Sequence, residues 1–156
     1  MNKLLVYLLP PVFYLLVALA GSHFTAAGIA IWYPSLQKPS FTPPGGIIGI
    51  VWTLIYIFSA ASLIQFLRAA KDKPLFALII GLYILNGIIN AAWSYIFFSR
   101  HLLMTAVIDS TLIAFTVLIM IISVWQYSKL SAFLLVPYFL WASFATFLSY
   151  TIFKLN

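Results

Sequence analysis

The chain has 156 residues, of which 65% are hydrophobic and only 6% charged. Soluble domains carry about 25% charged residues, and so few charges cannot cover a soluble surface of this size; an integral membrane protein is implied. The absence of cysteine removes disulfides, thiol chemistry, iron–sulfur clusters and Cys-ligated zinc. The net charge of +6 comes from Lys/Arg at the ends of apolar runs, which is membrane-protein placement and not a nucleic-acid footprint.

A bilayer-spanning helix needs about 20 apolar residues. Five windows qualify: 4–24, 47–67, 75–98, 103–125 and 131–153. A barrel is excluded because its strands alternate apolar and polar residues, whereas 112–122 is apolar on every side. The fold class is therefore all-α and membrane-embedded, with one domain over residues 1–156, no internal repeat and no linker able to separate two domains.

The first window has Lys3, an apolar run and Ala18-Leu-Ala20, which mimic a signal peptide. Its run is too long for that and contains Pro10-Pro11, so an uncleaved helix is expected, with the two termini on opposite sides. The longest connection, residues 25–46, holds four prolines. Each fixes its own φ and restricts the residue before it, predicting a stiff, extended, aromatic segment able to lie over a pocket or pack at the headgroups.

The second window carries Trp52, Tyr56, Ser59 and Leu63 on one face. Arg68-Ala-Ala-Lys71-Asp72-Lys73-Pro74 then reads as a charged turn, with Pro74 opening the next helix. In the third window Tyr83, Asn86, Asn90, Trp93 and Phe97 recur at helical spacing. Polar residues at bilayer depth face the bundle interior. This stripe could line a cavity for a flat, polar-edged ligand; interhelical hydrogen bonding and packing would account for it as well.

Ser99-Arg-His101 and Gln126-Tyr-Ser-Lys129 are tight turns. Asp109 is the one carboxylate inside a window. It is either a proton or ligand partner, or a hydrogen-bonded Asp facing Thr105 or a neighbouring helix. The fifth window repeats the aromatic theme with Tyr138, Trp141, Phe144, Ala145 and Leu148. Tyr7, Trp32, Trp125 and Tyr150 fit an interfacial aromatic belt, but Trp93 and Trp141 lie well inside their windows.

Lys3, Arg68, Lys71, Lys73 and Lys129 fall on one side of the membrane and Lys38, Arg100 and Lys154 on the other; five against three points to a cytoplasmic N-terminus. His23, His101, Asp72 and Asp109 are too scattered for a metal site. There is no paired-carboxylate site, no Gly-x-Ser-x-Gly and no P-loop. Two stretches, ending at Lys129 and Lys154, fit a proposed cholesterol pattern, which is cheap to match. Small residues spaced by four at Gly45/Gly49, Ala77/Gly81 and Gly87/Ala91 suit close helix packing within the chain or across a dimer.

Several motifs occur together in one order: Gly21-Ser-His-Phe24; Trp32-Tyr-x-x-Leu-x-Lys-Pro-Ser-x-x-Pro-Pro44; Val51-Trp-Thr-Leu-Ile-Tyr56; Asn90-Ala-Ala-Trp-Ser-Tyr-Ile-Phe-Phe98; Asp109; and Pro137-Tyr-x-x-Trp141-x-x-Phe-Ala-Thr146. In this the sequence resembles the TspO/MBR family of tryptophan-rich sensory proteins and the mitochondrial translocator protein, or peripheral benzodiazepine receptor.

The resemblance implies a bundle of five transmembrane helices, usually a homodimer, with a pocket closed by the Pro-rich loop acting as a lid. It implies binding of tetrapyrroles such as protoporphyrin IX and of benzodiazepine-type ligands. It also implies light- and oxygen-dependent porphyrin breakdown, an activity without an acid/base or metal site and with no covalently bound cofactor. The family's pocket tryptophans correspond to Trp52 and Trp141, its loop tyrosine to Tyr33, and its third-helix pair to Asn90 and Trp93.

With that resemblance, Trp52 and Trp141 are the candidate catalytic residues. Tyr33, Trp32, Lys38, Tyr56, Asn86, Asn90, Trp93, Tyr138 and Phe144 are the candidate ligand-binding set, Lys38 as partner of ligand carboxylates. Porphyrin transport, and sensing without catalysis, remain alternatives. Ser149 departs from the Asn common in the family before the last tyrosine, weakening any sterol site near Tyr150.

Overall fold

The computed structural model describes residues 3–156, and among them the chain is helical with no strand. Five helices are long and apolar enough to cross a bilayer. They are α1 (Lys3–Ala26), α3 (Gly45–Ala69), α4 (Phe76–Ser94), α5 (Leu103–Trp125) and α6 (Lys129–Leu155), with a short helix α2 (Trp32–Ser35) between the first two. The spans agree with the sequence windows to within two residues at each end once the turn that continues α4 to Ser99 is counted with it. The chain is a multi-pass membrane protein.

The helices close into a ring in the spatial order α1–α3–α6–α5–α4, and α4 returns to α1. The tightest pairing is α5 with α6. Leu, Ile and Phe point outward all round, as expected where lipid is the solvent. Lipid tails are as apolar as these side chains, so burial alone gives no drive for the helices to associate; close packing and interhelical hydrogen bonds must supply it. At the charged end, Ser62 of α3, Tyr83 of α4 and Ser131 of α6 form such a junction. Ser62 Oγ lies 2.7 Å from Tyr83 Oη and 2.9 Å from Ser131 Oγ. Each serine hydroxyl also lies 2.8 Å from the other's backbone carbonyl. Bonds of this kind average about 0.6 kcal/mol in membranes.

Two local expectations need correction. Pro74 does not open α4; Leu75 takes a left-handed conformation (φ 62°) and the helix begins at Phe76. The Tyr127 hydroxyl donates to the Pro74 carbonyl and holds that turn. The Pro-rich connection is not extended throughout. Trp32–Ser35 forms one helical turn, with the Tyr33 amide donating to Gly28 O at 2.9 Å. Proline at the third position of so short a turn loses no intrahelical bond, since the first helical amides have none to make.

The far end of α4 widens into a π turn over Tyr95–Ser99 before the tight bend, where His101 has φ 57°. The wider turn brings Phe97 and Phe98 to the interior together, and both are buried. A Cβ on Gly28 would sit 2.3 Å from the Phe98 carbonyl oxygen, so the chain after α1 can approach this turn only with glycine there.

Candidate functional site

A cavity of about 550 Å³ occupies the loop end of the ring, and all five spanning helices contribute to its wall. Such a volume falls in the usual range for small-molecule sites, about 300–1,000 Å³.

The wall is mostly apolar and carries eight aromatic side chains, and two of its polar groups, Tyr56 and Asn90, are linked. The Tyr56 hydroxyl of α3 donates to Asn90 Oδ1 of α4 at 2.7 Å. Asn90 Nδ2 donates to the Tyr138 hydroxyl of α6 at 2.8 Å. One amide thus ties three helices together at mid-depth, where unpaired polar groups would cost most. Trp52 stacks on Tyr56 (centroids 5.7 Å apart) and meets Tyr138 edge-on at 5.9 Å. Trp93 lies parallel to Phe97 at 4.8 Å, and its indole N–H donates to Ala106 O at 3.1 Å. Trp141 packs on Phe144 at 5.3 Å, and its Nε1, shielded from solvent, has no partner among the described residues.

Of the residues singled out from the sequence, Trp52, Trp141, Tyr33, Tyr56, Asn90, Trp93 and Phe144 line this cavity. Four others do not. Tyr138 is 1% exposed and sits behind Trp52 and Asn90. Asn86 is fully buried and donates to Thr116 Oγ1 of α5 at 2.8 Å, joining α4 to α5. Trp32 stacks on His101 (centroids 4.1 Å, planes 12° apart), which fastens α2 to the bend after α4. Lys38 folds back on its own loop. Its ammonium donates to Tyr33 O at 2.8 Å and Leu36 O at 2.9 Å and lies 4.8 Å above the Tyr33 ring. A ligand carboxylate would have to compete with those bonds.

The loop is fastened at its other end too. Asn156 accepts from the Gln37 amide and donates to the Gln37 carbonyl, both at 3.0 Å. Phe41 stacks on Phe147 of α6 at 5.5 Å. Tyr33 itself packs against Phe98 with centroids 5.7 Å apart, and burial raises its hydroxyl above the ordinary tyrosine pKa, so it is a neutral donor or acceptor at the cavity mouth.

Asp109 is buried with one carboxyl oxygen unpartnered among the described residues, and it is not part of the cavity wall. Thr105, one turn earlier on α5, is exposed.

Sequence reasoning missed the small residues of α1 that face the cavity: Ala18, Gly21, Ser22 and Ala26. The signal was present in Ala18-Leu-Ala20-Gly21-Ser22, but a run of small residues is equally the mark of a signal-peptide cleavage site. Gly49 of α3 and Ser110 of α5 also line the wall.

A five-helix ring enclosing a tryptophan-rich cavity defines a polytopic membrane protein built around a small-molecule site. Residues 11–155 match the model of the TspO/MBR family, and the chain belongs to that family. It is 43% identical over 125 residues to the tryptophan-rich protein TspO of Bacillus cereus, covering 80% of each chain. It is 37% identical to an uncharacterized membrane protein of Bacillus subtilis (85% of this chain, 88% of the other). It is 32% identical to the human translocator protein (87% and 81%).

Proposed function

We propose that the cavity binds a flat tetrapyrrole, protoporphyrin IX or a close relative, and promotes its light- and oxygen-dependent degradation, with residues 27–44 as a lid. The observation that carries this reading is the pair of indoles, Trp52 on α3 and Trp141 on α6, both lining one apolar cavity. A macrocycle offers π-faces to such rings, and offset stacking is worth about 0.5–1.5 kcal/mol per pair beyond area burial. Benzodiazepine-receptor-type ligands, also flat and aromatic, suit the same walls. The tyrosines and Asn90 satisfy one another, so they add no buried charge that an apolar ring would leave stranded.

In this account the protein supplies placement. The pigment absorbs the light and oxygen is the oxidant. Trp52 and Trp141 lie beside the ring, where each can pass an electron to the excited pigment; oxygen takes that electron as superoxide, the tryptophan radical recovers one from the pigment, and the pigment is left oxidised within the apolar wall. Ligand carboxylates lie at the loop end, within reach of Lys38 if that ammonium exchanges one loop carbonyl for a carboxylate. The protein acts in the bilayer, with its N-terminus cytoplasmic and a second copy as partner.

A second reading, a translocator or sensor without catalysis, is favoured by the names of relatives, translocator protein among them. Both readings require binding. Titration of the purified protein in lipid nanodiscs with protoporphyrin IX, followed by tryptophan fluorescence, is expected to give saturable quenching that weakens at least about tenfold, or 1.4 kcal/mol, in a Trp52→Ala/Trp141→Ala variant. Equal quenching of both proteins would remove the cavity as the site.

A further inference from the structure

The cavity is sealed unequally. Between α1 and α4 the packing is tight enough that a Cβ on Gly87 would lie 2.5 Å from Phe13 and 3.1 Å from Val17. The chain after α1 rests on the Phe98 carbonyl. On the loop side, the Gln37–Asn156 pair, the Lys38 ammonium and the Phe41–Phe147 stack fasten residues 36–44 to the ring and to themselves.

The seam between the loop ends of α1 and α3 differs. The buried residues of α3 begin only at Ile55, and the whole first half of that helix is unpacked on its outer side. A Cβ added at Gly45, Gly46 or Gly49 would meet nothing within 4 Å. A slot opens there between Ser22 of α1 and Gly46, Gly49, Ile50 and Thr53 of α3, and three of these residues, Ser22, Gly49 and Thr53, also line the main cavity. The slot therefore adjoins the cavity, with Ser22, Gly49 and Thr53 forming the shared wall. Its border combines the small residues Ser22, Gly46 and Gly49 with Ile50 and Leu54, and the Thr53 hydroxyl is turned back onto Gly49 O at 2.9 Å, so it presents little polarity to lipid.

We infer that this slot is a lateral portal through which the ligand passes between the bilayer and the cavity, without crossing the loop from water. The inference rests on the reading of the cavity as a tetrapyrrole site. A flat amphiphile with carboxylates at one edge lies in the outer bilayer with its ring among the chains and its charges at the headgroups. Glycines 45 and 46 stand where α3 meets that boundary. Sliding in edge-on between α1 and α3 keeps the ring in apolar surroundings and the carboxylates at headgroup level throughout. Entry beneath the loop would instead require breaking its fastenings and drawing an apolar ring through the polar zone.

Gly46 lines the slot and not the cavity, and its Cβ position is open, so Gly46→Leu narrows the portal without touching bound ligand. In nanodiscs, stopped-flow association and dissociation of protoporphyrin IX should both slow by the same factor, about tenfold or more, with the equilibrium constant unchanged. Asn156→Ala, which loosens the loop, should leave both rates as they are. Unaltered rates in Gly46→Leu, or faster exchange in Asn156→Ala, would overturn the portal.

A second arm needs no ligand. In a variant with Trp52 as the sole tryptophan, brominated acyl chains should quench its emission through the slot, and Gly46→Leu should restore most of it. Absence of that quenching overturns the portal even if binding is normal. A wild type that fails to bind protoporphyrin IX, together with bromolipid quenching in the sole-Trp52 variant, retires the ligand and keeps the opening.

Discussion

The Tyr56 hydroxyl of α3 donates to Asn90 Oδ1 of α4 at 2.7 Å, and the same amide passes a hydrogen bond on to Tyr138 of α6. The contact is both structural and functional in position, because Tyr56 and Asn90 line the cavity while Tyr138 lies behind it. Replacing Asn90 by Leu keeps the volume but leaves two tyrosine hydroxyls without their partner. Each such orphan costs about 1–3 kcal/mol. Asn90→Leu is expected to lower the unfolding midpoint in detergent clearly more than Tyr56→Phe, which strands only one acceptor with a second bond still in place. Equal midpoints for the two variants would refute the chain of bonds.

Three glycines make an ordered series. Gly28→Ala drives a Cβ to 2.3 Å from the backbone oxygen of Phe98, which cannot rotate away. Gly87→Ala places one 2.5 Å from the tip of the Phe13 ring, a side chain that can shift. Gly81→Ala meets nothing within 4 Å and should gain up to about 1 kcal/mol of helix propensity. Thermal denaturation should rank Gly81→Ala above wild type, then Gly87→Ala, then Gly28→Ala. Any inversion of the first and last contradicts the packing described.

Tyr33 gives a pH dependence with a definite sign. Its folded pKa is raised by burial, so the native state holds the proton more tightly than the unfolded chain. The corresponding stability is complete below the ordinary tyrosine value of about 10 and is lost as pH rises through the folded value. Limited proteolysis of residues 27–44 should therefore accelerate in strongly alkaline buffer, and Tyr33→Phe should abolish that increment. Identical alkaline profiles for both proteins would exclude Tyr33 as its source.

Trp32 and His101 stack face to face at 4.1 Å and hold α2 to the bend after α4. His101→Ala should cost under about 1.5 kcal/mol globally, the scale of one exposed aromatic pair. It should still raise hydrogen exchange in Trp32–Ser35 several-fold. No change in exchange would mean that the stack follows the loop's position and does not set it.

Much of this molecule was legible in its sequence. Hydrophobic length alone placed the five spans, because a bilayer imposes one scale on every crossing. The 3–4 spacing of Asn90 and Trp93, and of Tyr138 and Trp141, put those residues on inward faces. What spacing could not resolve was which inward residue meets the cavity and which meets another helix. Asn86 and Asn90 are one turn apart on the same face, yet Asn86 is spent on Thr116 and only Asn90 reaches the wall. Lys38 illustrates a second limit: a lone cation near an aromatic loop reads as an anion partner, whereas the fold turns it onto backbone carbonyls. The break at Leu75 was hidden because a left-handed residue of this type carries no composition signal.

The proposed photochemistry depends most on Trp52 and Trp141 acting as electron donors to a bound, excited pigment. The direct measurement is protoporphyrin IX absorbance over time with the protein in nanodiscs, illuminated and dark, beside a Trp52→Phe/Trp141→Phe variant that retains the aromatic walls. Pigment should be lost only in light and oxygen, and about tenfold or more slowly in the double variant, a difference of about 1.4 kcal/mol in the barrier. Stable pigment under illumination with the unaltered protein, or equal decay in both, would contradict it and leave a carrier or sensor whose tryptophans serve recognition alone.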